Sequence, residues 1–257
     1  MSIHDHSILA VLAHPDDESL ACGGLLAKCA TSGARVSLFC ATHGDCGGLG
    51  DVRVRELKAA TRLLGVSKVM LLDHADGELT WAETLEADIR SAIHRLRPDV
   101  VVTFGEDGLY WHPDHIAVHE KTTAAVASLG ASAPALYYVT MPPGVMRAVA
   151  ATVGGATPSP RVLGIDADAF GALAAQPTLV VDVGPLAVRK LAALKCHRTQ
   201  LRQDPLDRLG DDEAVRLLAV EHYRRADVGA RTSTFLDKWG RESFLEGTHR
   251  EKDSGVL

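Results

Sequence analysis

The sequence predicts an α/β fold, a Rossmann-like and mostly parallel sheet flanked by helices, with a C-terminal extension. Three observations carry this expectation. Apolar runs of strand length recur as far as Phe104, each is followed by a segment with helical spacing of its apolar residues, and the links between them are short. With 257 residues, 46% of them apolar, the chain can bury one core of ordinary size. Residues 1–257 are therefore read as a single domain whose functional rim comes mainly from residues 8–120.

Taken in order, "SILAVLA" (Ser7–Ala13) is a continuous apolar run, as expected of a strand covered on both faces. "DESLACGGLLAKCATSG" then places Leu20, Leu25, Leu26 and Cys29 at helical spacing and stops at Gly33. "ARVSLFCAT" (Ala34–Thr42) is a second strand, "HGDCGGLGD" a glycine-rich loop, and Val52–Val66 an amphipathic helix. Lys68–Leu72 is a third strand, "AETLEADIRSAIHRLR" a helix ended by Pro98, and Asp99–Phe104 a fourth strand. In the second half, Gly144–Pro160 is rich in Gly, Ala, Thr and Pro and reads as a surface loop. Thr178–Val183 is one more strand, followed by helices around Leu186–Arg202 and Asp211–Arg225.

Composition excludes several partners. The formal charge is −6 and no long block of Lys and Arg occurs, so nucleic acid is not expected. Five cysteines without a CxxC pair argue against a disulfide framework or a cysteine zinc ribbon, and for a reducing compartment. The N-terminus carries no basic, apolar export signal, and Ile8–Ala13 is too short to span a bilayer. A cytoplasmic protein without a membrane anchor is expected; self-association is left open.

Ligands of parallel sheets collect beyond the carboxyl ends of the strands. Four polar clusters fall there: His14, Thr42–Gly50, Asp73–Asp76 and Gly105–His115. His14 and Asp17 stand three positions apart, as do His112 and His115, and each first histidine is followed by proline. Pro15 and Pro113 suit the first position of a helix, which leaves His14 and His112 near N-caps with Asp17 and His115 one turn inside. Two histidines and a carboxylate can hold a divalent metal with an open position, the composition of a catalytic rather than a structural site. One HPD segment alone is read as readily as a helix cap whose acids favour the dipole; two, both at expected strand ends, are not.

"AHPDDE" (Ala13–Glu18) together with "HPDH" (His112–His115) resembles the PIG-L/LmbE family of zinc-dependent de-N-acetylases, with further agreement in "RVRELKAATRLLGV", "DGEL" and "LKCHRTQ". The resemblance covers most of residues 8–120 and the C-terminal half only patchily. It implies that His14, Asp17 and His115 bind one Zn²⁺ per chain, another divalent ion such as Fe²⁺ being the alternative. It implies that Asp16 is the general base and that His112 either donates to the oxyanion or protonates the leaving amine. Asp114 would orient His112, and Tyr110 would help polarise the carbonyl. Arg53 and Asp76 would hold substrate hydroxyl or phosphate groups. The implied substrate is a small N-acetylated sugar or conjugate, with N-acetylglucosamine at its centre.

Rival chemistries share parts of this pattern. Two histidines and one carboxylate also serve iron oxygenases, but those resemble jelly rolls of many short strands. A phosphoesterase commonly uses two metals and more carboxylates. A nucleotide-binding module lacks support because no GxGxxG follows the first strand. Gly44–Gly50 lacks the GK[ST] ending of a phosphate loop and is read as a flexible pocket wall. Arg53 could instead pair with Asp51 or Glu56, and Tyr110 and Trp111 could simply pack. His43, His74, His94, His119 and His197 are read as ordinary polar or half-buried residues, His4 and His6 as part of a mobile terminus, and Cys196 as no nucleophile despite its neighbour His197.

Overall fold

The computed structural model describes residues 3–154, 159–172 and 175–240. Strands β1 (Ser7–Leu12), β2 (Arg35–Thr42), β3 (Lys68–His74), β4 (Val100–Phe104) and β5 (Ala135–Thr140) alternate with helices α1 (Asp17–Thr31), α2 (Gly50–Leu64) and α3 (Leu85–Leu96). A short irregular turn, α4 (Gly108–Trp111), and helix α5 (Pro113–Ser128) separate β4 from β5. Every residue of β1, β4 and β5 is buried, as continuous apolar runs covered on both faces require. Full burial of such side chains stabilises by roughly 1.5–3 kcal/mol each, before entropy is subtracted.

The second half comprises α6 (Val145–Gly154), the two-residue strands β6 (Arg161–Val162) and β7 (Ile165–Asp166), and β8 (Leu179–Asp182). Helices α7 (Ala187–Leu194), α8 (Pro205–Arg208) and α9 (Asp211–Leu217) and the long strand β9 (Val220–Gly229) complete it. The main sheet has seven strands in the order β3-β2-β1-β4-β5-β9-β8. The first five run parallel, while β9 is antiparallel to both β5 and β8. Because β1 lies between β2 and β4, the chain turns from one direction of winding to the other there. A crevice opens beyond the carboxyl ends of β1 and β4.

The second half departs from the sequence expectation in four places. The stretch expected as a surface loop contains helix α6, whose Met146, Val149 and Ala150 are buried; residues 155–158 lie outside the described residues. Those side chains pack with Phe170, Leu191, Leu206, Leu209 and Leu218 into a second apolar cluster, which overrides the weak local signal of Gly, Ala and Thr. The last expected helix ends at Leu217, and Val220–Gly229 is a strand because its backbone pairs with both β5 and β8. The expected helix to Arg202 ends at Leu194. Strand β5, absent from the sequence reading, sits between β4 and β9.

Candidate metal centre and catalytic cleft

The chain leaves β1 at Leu12 and turns sharply before α1. That helix begins at Asp17, not at Pro15, because Asp16 takes φ 124°, a left-handed conformation that interrupts helical progression. A non-glycine residue held there stores roughly 1–3 kcal/mol and needs surrounding contacts to keep it. The carbonyl of Asp16 accepts from the amides of Ser19 and Leu20, both at 3.1 Å. Asp17 folds back so that its Oδ2 accepts the His14 backbone N–H at 2.7 Å. At the second corner, Pro113 opens α5, and the N-cap His112 accepts the Asp114 backbone N–H on its Nδ1 at 3.1 Å.

These corners bring three groups together. His14 Nδ1 lies 3.2 Å from His115 Nε2 and 3.5 Å from Asp17 Oδ2, and His115 Nε2 lies 3.2 Å from Asp17 Oδ1. All three residues are buried. The ring of His112 stacks 4.6 Å from that of His115, and the nitrogens of His14, His112 and His115 form one compact group. The far nitrogens are occupied: His115 Nδ1 meets the Gly108 carbonyl at 3.0 Å. His14 Nε2 meets Asp114 Oδ2 at 2.9 Å and Asp76 Oδ1 at 3.1 Å. With its outer nitrogen donating, each ring presents an inner lone pair to the same point, the arrangement that metal-ligating histidines adopt. The residues therefore fit a divalent cation held by His14 Nδ1, His115 Nε2 and the Asp17 carboxylate, with a side open to the cleft.

Electrostatics agree with a cation. Burial works to lower the basicity of His14, but the carboxylates of Asp114, Asp17 and Asp76 outweigh it and hold the ring well above its ordinary pKa. Burial also opposes ionisation of Asp17, yet His115 and His14 beside it keep its carboxyl well below the usual range. Asp16 differs: burial, with the adjacent Asp17 charge, pushes its pKa up to about 6. Burial, with His115 and His14 nearby, drives His112 down to about 4.

A cleft of about 240 Å³ opens here, lined by His14, Asp16, Asp17, Arg53, Asp76, Tyr110 and His112, with Leu20, Cys46, Gly77, Leu163 and Gln200 completing it. A larger cavity, about 600 Å³, lies at the opposite end of the strands around Pro98, Pro134 and Phe235; His14, Asp17 and His112 line the smaller one. Tyr110 sits against His115, 5.1 Å between ring centroids, and Phe170 of the second half backs it at 4.8 Å.

Three expected residues touch different partners from those the sequence suggested. The Asp114 carboxylate grips His14 and accepts the amides of Gly77 and Leu79; only its backbone N–H meets His112. Asp76 also serves His14, and the Cys46 amide donates to its other oxygen at 2.7 Å; the His14 contact, against the cost of burial, lowers its pKa to about 2. Arg53 pairs with neither Asp51 nor Glu56. It donates to Asp16 Oδ2 at 3.2 Å and to the carbonyls of Pro15 and Gly44, and its Nε is buried without a partner. Gly44, at φ 66°, leaves room for this: a Cβ there would stand 2.4 Å from Arg53 Cζ.

Sequence reasoning passed over two buried groups beside the site. Glu18 is fully buried and bonds His197 Nε2 at 2.8 Å, so His197 is a fully buried, paired histidine and not the ordinary polar or half-buried one expected. The signal was available in the third acid of "PDDE" and the histidine of "LKCHRTQ". Its meaning depends on a contact across 179 positions. His6, assigned to a mobile terminus, stacks on Phe235 with ring centroids 4.9 Å apart.

A seven-stranded, mostly parallel sheet with a buried His/Asp cluster at its switch point defines the class: an α/β protein with a cluster that could hold a metal ion. Residues 9–126 match the family model of the GlcNAc-PI de-N-acetylases, PIG-L. The chain is 34% identical over 293 aligned positions to the 1D-myo-inositol 2-acetamido-2-deoxy-alpha-D-glucopyranoside deacetylase of Thermomonospora curvata, spanning 95% of this chain and 97% of that one. Among solved structures it resembles the N,N'-diacetylchitobiose deacetylase of Pyrococcus horikoshii, with TM-score 0.62 and 20% identity over 86% of this chain and 83% of that one. It also resembles a 4-carboxy-2-hydroxymuconate hydratase, GalB, of Pseudomonas putida, with TM-score 0.59 and 16% identity over 89% and 99% of the two chains. These two likenesses establish the fold, and one being a deacetylase and the other a hydratase shows that the fold by itself does not choose a reaction.

The chain belongs to the GlcNAc-PI de-N-acetylase family. It is a hydrolase of the deacetylase class, acting on an amide C–N bond. The oxygenase alternative asks for a jelly roll, which this sheet is not, and the nucleotide-binding alternative asks for a phosphate loop where the His14–Asp17 turn stands.

Proposed function

We propose that the protein is a zinc enzyme that removes the acetyl group from 2-acetamido-2-deoxyglucose joined to an inositol, the substrate named for its curated relative. The observation carrying the metal is the approach of His14 Nδ1, His115 Nε2 and Asp17 to one point at the floor of the cleft. The single-domain reading is supported by β8 and β9 joining the same sheet as β1–β5. A cytoplasmic setting is supported by five cysteines standing free. Among the described residues no helix is long and apolar enough to cross a membrane.

The metal, when bound, polarises the amide carbonyl and lowers the pKa of water from 15.7 toward about 7. Asp16, lining the same cleft, takes a proton from the attacking water, a contribution of roughly 10²–10⁴-fold. The oxygen bonds to the carbonyl carbon, and the carbonyl electrons move onto oxygen. His112 meets that charge: its Nδ1 already accepts the Asp114 amide, so its proton sits on Nε2, facing the cleft as a donor. This tautomer favours the oxyanion task over delivery of a proton to the amine. Asp16 then returns its proton to nitrogen as the C–N bond breaks, leaving acetate and a free amine.

The test is acetate release across a panel of N-acetylated sugars, with metal content measured on the same samples. The glucosaminyl-inositol is expected to give the highest kcat/KM, and bare N-acetylglucosamine a lower one. Absence of acetate release from every N-acetylglucosaminyl compound by metal-loaded protein would overturn the proposal.

A further inference from the structure

We propose that Glu18 and His197 form a positioning pair that holds the backbone of Asp16 in its left-handed conformation. The inference rests on the reading of Asp16 as the base. At φ 124° Asp16 occupies a region that side-chain-bearing residues avoid, and such a conformation persists only where its neighbours over-determine it. On the carbonyl side the first turn of α1 supplies two amides. On the nitrogen side the Asp16 N–H donates to Glu18 Oε2 at 3.1 Å.

That acceptor is useful only if the Glu18 carboxylate stays aimed at the amide. Glu18 is 0% exposed, and a buried side chain keeps one orientation only where its neighbours hold it. Its other oxygen is fixed by Ser19 Oγ at 2.5 Å and by His197 Nε2 at 2.8 Å. His197 is itself 1% exposed and stands just after α7 in a turn, its carbonyl accepting from the amides of Gln200 and Leu201. Among the described residues its Nδ1 is buried without a partner, and Glu18 is the one polar group its ring engages. Glu18 carries this support through its two oxygens, from His197 on one to the Asp16 amide on the other. The second half of the chain thereby governs the base without touching substrate.

A bland alternative makes the pair a clamp that only fastens the second half to α1. The two differ in what His197→Ala, His197→Gln and Glu18→Gln do. Each variant is compared with wild type for metal content, melting temperature, kcat and KM on N-acetylglucosamine, and hydrogen exchange of the Asp16 amide by NMR in the metal-free protein. Positioning predicts that folded His197→Ala keeps its metal and KM but loses about 10²-fold in kcat, the scale of a misplacement near 1 Å. His197→Gln, whose amide can donate to the same carboxylate oxygen, recovers most of that loss. The Asp16 amide exchanges faster in His197→Ala. Should His197→Ala fail to fold, Glu18→Gln decides: one amide oxygen cannot serve both neighbours, so kcat falls and Asp16 exchange rises. Wild-type kcat and unchanged Asp16 exchange in the folded variants overturn the proposal. So does a loss that follows metal content or stability without recovery in His197→Gln. If wild-type protein hydrolyses no amide, the functional reading fails, and the Asp16 exchange data still decide this one.

Discussion

His14 Nδ1 and His115 Nε2 stand 3.2 Å apart although 101 positions separate them in the chain. The parallel pairing of β1 with β4 makes this meeting, because both residues leave adjacent strands at the same end of the sheet. Two ring nitrogens at that distance, with their far sides already donating, must share a proton or a cation.

The cation is expected at about one per chain. Chelation should abolish hydrolysis, and zinc should restore it. At a free zinc concentration near 1,000 times Kd, the folded state should gain about 4 kcal/mol, read as a rise in melting temperature. His115→Ala should lose both the stoichiometric metal and the stabilisation. Full occupancy in that variant would remove His115 from the ligand set.

Asp16 and Asp17 are neighbours with different surroundings, so their amide variants should fail differently. Asp16→Asn should retain its metal and lose roughly 10²–10⁴-fold in kcat. Asp17→Asn should bind metal weakly, and excess zinc should recover part of its activity. The opposite order of metal retention would reverse the two assignments.

Asp114 serves His14 rather than His112, and its removal should show it. Asp114→Ala is expected to weaken metal affinity by about 10–100-fold in a chelator competition titration. Undiminished affinity with a fall in kcat alone would return Asp114 to His112.

Arg53 is bound to Asp16 Oδ2 and to the carbonyls of Pro15 and Gly44. Arg53→Ala should therefore lower kcat on bare N-acetylglucosamine as well as on the inositol conjugate. A rise in KM confined to the conjugate would place Arg53 on the substrate instead.

Away from the cleft, Lys190 and Glu221 form a buried ion pair at 2.6 Å. Glu221 also accepts the amides of Gly24 at 2.8 Å and Leu25 at 2.7 Å, where α1 is kinked at Cys22. Lys190→Met strands that carboxylate and should cost about 3–5 kcal/mol in chemical unfolding. A loss below about 1 kcal/mol would mean that the remaining donors suffice.

The first half of this fold was legible because its signals are local. Continuous apolar runs such as Ile8–Ala13 belong to doubly covered strands, and Pro113 after His112 marks the start of α5, although the same signal at Pro15 comes two residues before α1. The second half was legible only in part: β8 and the starts of α7 and α9 were read, and β5, α6 and β9 were not. Val220–Gly229 carries its polar residues without regular alternation and comes soon after a helix, and it becomes a strand because β5 and β8 offer unpaired edges on its two sides. Within Gly144–Pro160, α6 likewise exists through the cluster it joins rather than through propensity.

By itself the sequence determined the fold class, the two corners that carry His14, Asp17, His112 and His115, and the family, since strand periodicity and the paired HPD segments are written within a few residues each. Only the tertiary structure decided which group serves which. It turned Asp114 and Asp76 toward His14, Arg53 toward Asp16, and His197 toward Glu18. The physical reason is that a buried charge or imidazole takes whichever complementary group the packing brings within about 3 Å. That choice depends on strand order and helix packing across a hundred positions or more, which no local pattern records.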